Sequence, residues 1–251
     1  MGQSAINDRV QESFAEGRGV PVRVAVIDSG VHADHPHING VSGGVAIESD
    51  GRLHNDYVDR LGHGTAVMAV IREKVPKAEL FAVKVFHRSL SSRIEVLVKA
   101  IRWAVNSRMQ VVNLSLGTDR SEHEKVLSEI VHFASQRGTI IVSAYQNEGV
   151  RYLPGSLLGV LPVLLDWDCP RSEYRPKVLS QGRVAFCTSG YPIDIPGVPP
   201  SKNLKGISFS VAHMTGFVAR ILMDQPNISF QNLSRTLVKH SVSSEPFRAQ
   251  D

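Results

Sequence analysis

Short apolar runs alternate with helical periods along most of this chain, and that alternation restricts the fold more than any other feature. VRVAVID (22–28), LFAVKVF (80–86), VVNLSL (111–116), TIIVSAY (139–145) and VLPVLL (160–165) are rich in Val, Ile and Leu. Their near-continuous apolar character suits strands buried on both faces of a parallel sheet, where both rows of side chains meet a covering layer. Between two of them, SRIEVLVKAIRWAVNS (92–107) sets Ile94, Leu97, Ile101 and Ala104–Val105 along one helical stripe. SEHEKVLSEIVHFASQRG (121–138) opens on a capping-box pattern, Ser121 to Glu124, and ends on Gly138, a natural carboxyl-terminal cap. This order implies right-handed crossovers and an α/β fold of three layers, with helices on both sides of a mainly parallel sheet.

Such a sheet also says where function should lie, because ligands bind beyond the carboxyl ends of its strands. The polar residues stationed there are Asp28, ending the first run, Ser115 to Gly117 at the end of the third, and Asn147 just past the fourth. Size and composition fit one core: 251 residues, 42% hydrophobic and 21% charged. No apolar run reaches the roughly 18 residues of a membrane helix. The start, MGQSAINDRVQESFAEGRGV, lacks the apolar stretch of about 7–15 residues of a secretory signal. A cytoplasmic protein with no membrane partner is therefore expected. The net charge of +4 comes from scattered lysines and arginines, so no nucleic-acid partner is expected either. Cys169 and Cys187, the only cysteines, have no metal-ligand spacing and are expected reduced. No cluster of oxygen ligands suggests calcium. Neither a metal nor a cofactor is expected.

Three polar residues stand in settings that nucleophilic catalysis needs. A serine hydroxyl attacks a carbonyl at neutral pH only when an imidazole takes its proton and a carboxylate orients that imidazole. Asp28 ends an apolar strand. His63 lies in GHGT, ahead of the apolar AVMAVI, and Ser208 follows Gly206 at the start of the buried-looking segment SVAHMTGFVARIL. A nucleophile there gains from the positive end of a helix and its free N–H groups. Singly, each residue has an ordinary reading: a turn aspartate, a loop histidine, a helix cap.

Together, VIDSGVHADHP, GHGTAV and GISFSVAHMTG resemble the Asp, His and Ser boxes of the subtilisin-like serine proteases (subtilases), in the family's chain order. PKAELFAVKVF, AIRWAV, VVNLSLG and IIVSAYQNEG fall between the boxes where the family has counterparts, so the resemblance runs from about residue 22 to about 222. It implies a single subtilisin-like peptidase domain over 1–251, with an N-terminal extension (1–20) and a mobile tail (240–251). It further implies that Asp28 orients His63, that His63 is general base and then acid, and that Ser208 is the nucleophile. Asn147 matches the oxyanion-hole asparagine. Ser115, Leu116 and Gly117 match the strand edge that pairs with an extended peptide or protein substrate, and Ala144 and Tyr145 match the lining of the main specificity pocket.

The boxes also depart from the family pattern. Ile207 replaces a threonine before Ser208, and Phe209–Ser210–Val211–Ala212 replaces a run of small residues with a proline. Gln146 stands where a glycine precedes the asparagine, and Tyr145 replaces a small residue, so either a narrowed pocket or a differently held loop is expected. Only REKVPKAELF separates the His-box helix from AVKVF, too short for the calcium loop of many relatives. The reading is a serine endopeptidase with a restricted substrate, such as the leader of a precursor peptide. Two others stay open: a peptide ligase or macrocyclase whose acyl-enzyme is resolved by an amine, and a pseudoprotease that only binds peptides. A partner protein covering surfaces left by the shortened loops is a further expectation left open.

Overall fold

The computed structural model describes residues 20–199 and 202–241. The expected N-terminal extension and mobile tail fall outside the described residues apart from their innermost positions. A nine-stranded sheet runs in the order β10-β11-β9-β6-β5-β1-β4-β2-β3. Its centre is parallel: β1 (Arg23–Asp28), β4 (Glu79–Lys84), β5 (Val111–Leu114), β6 (Ile140–Ala144) and β9 (Val160–Leu165), continued by β2 (Gly43–Ile47) and β11 (Val184–Thr188). Antiparallel β3 (Leu53–His54) and β10 (Arg175–Val178) close the two edges. Helices α1 (His63–Lys74), α4 (Ile207–Asp224) and α5 (Phe230–Lys239) cover one face, and α2 (Ile94–Asn106) and α3 (Glu124–Ser135) the other. A separate hairpin, β7 (Gln146–Asn147) with β8 (Val150–Arg151), projects past the end of β6.

Side-chain alternation along β1 shows why its sequence is apolar throughout. Val24 and Val26 pack with Met68 and Val70 of α1 and Val211 and Val218 of α4. Ala25 and Ile27 face the other way, onto Leu97 and Ile101 of α2 and Leu127 and Ile130 of α3. Each buried Val and Ile here contributes about 1.5–3 kcal/mol, so β1 anchors both layers and fixes where its last residue, Asp28, emerges.

The five strands and two helices read from periodicity are present, with shifted ends. β4 stops at Lys84 and β5 at Leu114, two residues short of their apolar runs. Val85 and Phe86 instead turn their N–H groups onto the Asp28 carbonyl, at 2.8 and 3.3 Å. The capping box at Ser121 does not form: residues 121–123 make a 3-10 turn, α3 starts at Glu124, and no side chain caps it. The carboxyl end is as expected, with Gly138 at φ 73° and the Thr139 N–H donating to the Ala134 carbonyl. The edge strands β3 and β10, and β2 beside β3, carry too little periodicity to be read; β10 even holds Pro176, which an edge tolerates. Among the described residues no helix is long and apolar enough to cross a membrane.

Candidate active site

Asp28 and His63 meet at the carboxyl end of β1. His63 Nδ1 lies 2.8 Å from Asp28 Oδ1, with the carboxylate fully buried and the imidazole 14% exposed. The Ser29 N–H donates to the same oxygen at 2.7 Å. Two glycines permit this approach of helix to strand. A Cβ on Gly64 would sit 2.3 Å from the Gly30 carbonyl oxygen, and Gly30, at φ +102°, itself fits tightly against the Tyr57 carbonyl. Backbone contact thus accounts for Gly64 of the GHGT stretch.

Behind this pair stands Asp59, a residue the sequence reading passed over. Its buried carboxylate accepts from Ser29 Oγ, Leu61 N–H and Gly62 N–H on Oδ1, and from the Thr65 N–H and hydroxyl on Oδ2, all within 2.7–2.9 Å. Ser29 Oγ in turn accepts from the Gly64 N–H at 2.8 Å. Asp59 therefore ties the chain next to Asp28 to the first turn of the helix carrying His63. A carboxylate within a turn of a helix start is a readable signal, and Asp59 lies four residues before His63. Burial opposes its charge, but the bonds from Thr65, Leu61 and Ser29 outweigh that and hold its pKa below the ordinary 3.8. For His63, burial disfavours the imidazolium, yet the Asp28 hydrogen bond and charge, with the Asp59 charge behind them, raise its pKa above 6.5.

Ser208 is the second residue of α4, which begins after Gly206 at φ 143°. The next side chain, Phe209, is buried with its ring 5.9 Å from the His63 ring, so α4 and α1 bring serine and histidine to one place. No hydrogen bond joins the two side chains; Ser208 Oγ donates instead to the Ser115 carbonyl, a long contact of 3.4 Å. Ser115 Oγ answers with an equally long bond to the Ser208 carbonyl and accepts from Asn113 Nδ2 at 2.9 Å. Asn113 Oδ1 accepts from Thr215 of α4, so β5 and α4 are pinned beside the serine.

Beyond Ser115, the Leu116 and Gly117 N–H groups have no main-chain acceptor among the described residues, and the next residue, Thr118, pairs both ways with Leu153. A Cβ on Gly117 would meet the Leu153 carbonyl at 2.9 Å and Tyr152 Cβ at 3.1 Å, so Tyr152 crowds this segment. Ala144 ends β6 with its carbonyl packed against Gly155. Tyr145 places its ring in a small cluster with Leu164 and Ala185, near the guanidinium groups of Arg151 and Arg183. Tyr152, which the sequence reading did not single out, is the side chain next to Gly117. Asn147 lies in β7, paired with Val150 across a two-residue turn, Glu148 and Gly149, both at positive φ. Gln146 and Glu148 face Gly206 and Ile207 across a cavity of about 480 Å³ floored by Leu164, Leu165 and Trp167. The hairpin carrying Asn147 therefore borders the segment carrying Ser208. Among the described residues no group of His, Cys, Asp and Glu is arranged to hold a metal ion.

The Subtilase family model matches residues 19–250. The thermostable alkaline protease of Halalkalibacterium halodurans is 30% identical over 239 residues, covering 85% of this chain and 61% of that protein. Subtilisin E of Bacillus subtilis is 30% identical over 232 residues, covering 83% and 57%. Subtilisin Savinase of Lederbergia lenta is 30% identical over 266 residues, covering 94% and 90%. The match thus spans about three-fifths of the first two relatives. The crystal structure of a lanthipeptide protease superimposes with a TM-score of 0.72 at 19% identity, over 95% of this chain and 85% of that one. With the family model matched over 19–250, the chain belongs to the subtilase family.

Proposed function

We propose that this chain is a serine endopeptidase that cleaves an extended peptide through an acyl-enzyme. The observation that carries this reading is the 2.8 Å Asp28–His63 bond set against the helix of Ser208, whose Phe209 touches the same imidazole. Asp28 holds His63 with Nδ1 protonated and leaves Nε2 as the base. Ser208 Oγ gives its proton to Nε2 as it bonds to the scissile carbonyl carbon, and the carbonyl π pair moves to oxygen. The Asn147 amide and the Ser208 N–H, at the positive end of α4, stabilise that oxyanion. Collapse breaks the C–N bond while His63 returns the proton to the leaving amine. A water deprotonated by His63 then hydrolyses the ester. The Leu116 and Gly117 N–H groups, without a main-chain acceptor among the described residues, suit main-chain pairing with substrate.

Restriction of the substrate to a precursor peptide is supported by Tyr152 crowding Gly117, and by the fold likeness to a lanthipeptide protease. A second reading, a peptide-binding pseudoprotease, is favoured by the missing His63–Ser208 bond, although such bonds often form only once substrate is bound. Labelling with a fluorophosphonate probe separates the two. The enzyme reading requires label on the parent and none on Ser208→Ala or His63→Ala; an unlabelled but folded parent supports the pseudoprotease. Digestion of a mixed proteome then tests the restriction, and broad cleavage would overturn it.

A further inference from the structure

The far end of α1 holds a second concentration of charge that the proposed reaction does not use. Lys74, the last residue of this 12-residue helix, lies about 17 Å along it from His63 at 1.5 Å per residue. Its stem is wedged against Gly216 of α4, where a Cβ would come within 2.7 Å of Lys74 Cβ and Cδ. Its ammonium lies 4.6 Å from the centre of the Phe217 ring and donates to the Arg171 carbonyl. No ion pair joins Lys74 to a carboxylate among the described residues, although the side chain is largely enclosed. Burial, reinforced by the Arg171 and Arg220 charges against the opposing Glu73, pulls its pKa down to about 8. Enclosing an ammonium without a directly paired carboxylate is costly.

Lys74 opens onto a cavity of about 410 Å³, lined also by Glu73, Arg171, Ser172 and Arg220. Three cationic side chains reach it from three elements: the end of α1, the segment after β9, and the last turns of α4. Arg171 is held by Glu73 at 2.5 Å and more loosely by Asp194 at 3.7 Å, yet its Nε is buried without an acceptor. Asp224 acts on Arg220 from one turn further along α4. His213 donates from Nε2 to the Tyr191 carbonyl at 2.8 Å, and burial, with the Lys74 charge, pushes its pKa down to about 3, so it stays neutral. Glu73 thus pairs directly with Arg171 and acts on Lys74 only through its charge, so among the described residues the lysine has no bonded carboxylate.

We propose that this cavity is a binding site for a small tetrahedral oxyanion of the phosphate class, held by the Lys74 ammonium and the Arg171 and Arg220 guanidinium groups, with the Ser172 hydroxyl at its edge. Several oxygens on one centre suit donors converging from three directions, and guanidinium forks match them. Bound there, the anion joins α1 to α4 at the end opposite His63 and Ser208, so stability, and not turnover, is the direct readout.

The test is thermal unfolding of the full chain at pH 7 in inorganic phosphate, against sodium chloride of equal ionic strength. The expected result is a saturable rise in Tm of about 2–4 °C at roughly five times Kd. Lys74→Met, which keeps the stem against Gly216, is expected to abolish the rise, and Arg220→Gln to weaken it; should the first variant not fold, the second decides. A shift no larger than that in chloride, or the same shift in a folded variant, would overturn the site. An equal shift in acetate would overturn the phosphate class.

Discussion

Asp28 and His63 sit in a mesh of short hydrogen bonds, all between buried or half-buried groups, whereas Ser208 meets its neighbours through two contacts of 3.4 Å. In the proposed reaction the acid–base half is β1 with the first turn of α1, stapled by Asp59. The nucleophile half is assembled from three separate pieces: the start of α4, the segment after β5, and the β7–β8 hairpin. The His63 imidazole is therefore already oriented by Asp28, while the Ser208 hydroxyl is held only by long contacts. In the proposed reaction a peptide lying along Leu116 and Gly117 completes the second half.

The sharpest way to break this comparison is to remove either partner of the proton transfer. Ser208→Ala and His63→Ala are each expected to lower kcat/KM by about 10⁴-fold or more with little change in Tm. Residual turnover near the parental level would end the triad reading. Next comes Gly64→Ala. Its Cβ would press on the Gly30 carbonyl at 2.3 Å, and displacing His63 by a fraction of an ångström is expected to cost roughly 10² in kcat/KM and about 1–3 kcal/mol of stability. Parental kinetics in that variant would show that the close approach does not position the histidine.

Asp59→Asn probes the staple. An amide cannot replace a carboxylate that accepts five hydrogen bonds, and a loss of about 1–3 kcal/mol in urea unfolding at pH 7 is expected. The folded pKa of Asp59 is depressed, so its contribution is present above 3.8 and is lost as pH falls through the lower folded value. The gap between parent and variant should accordingly narrow in acid. Loss of the Asp59 charge also removes one of the influences raising His63, so the acid limb of kcat/KM should move to lower pH. An unmoved limb would reduce Asp59 to a purely structural role. The smallest effect is expected at Ser115→Ala, which deletes an acceptor for Asn113 Nδ2: about 1 kcal/mol of stability and only a few-fold in turnover. A larger kinetic loss would mean that the nucleophile half is more ordered than its long contacts suggest.

Much of this was legible in the residues themselves. The apolar runs of β1, β5, β6 and β9 read as strands because both their faces are buried, and the three boxes placed Asp28, His63 and Ser208 at strand or helix ends. Asp59 was not read, since its importance comes from Ser29, thirty positions away, meeting Thr65 around one carboxylate. Tyr145 illustrates the converse. Its bulk was visible, but the side of the backbone on which it packs depends on Leu164 and Ala185 from neighbouring strands, and the crowding beside Gly117 comes from Tyr152 instead.

The sequence by itself determined the layered α/β architecture, the family and the order of the three boxes, because periodicity and short motifs are local properties of a chain. Only the tertiary structure decided that Asp28 and His63 are bonded while Ser208 is turned to Ser115, that Asp59 joins strand to helix, and that Lys74 lies beside Arg171 and Arg220. Each of these depends on distances between segments remote in sequence, and such distances are set by how the helices pack across the sheet.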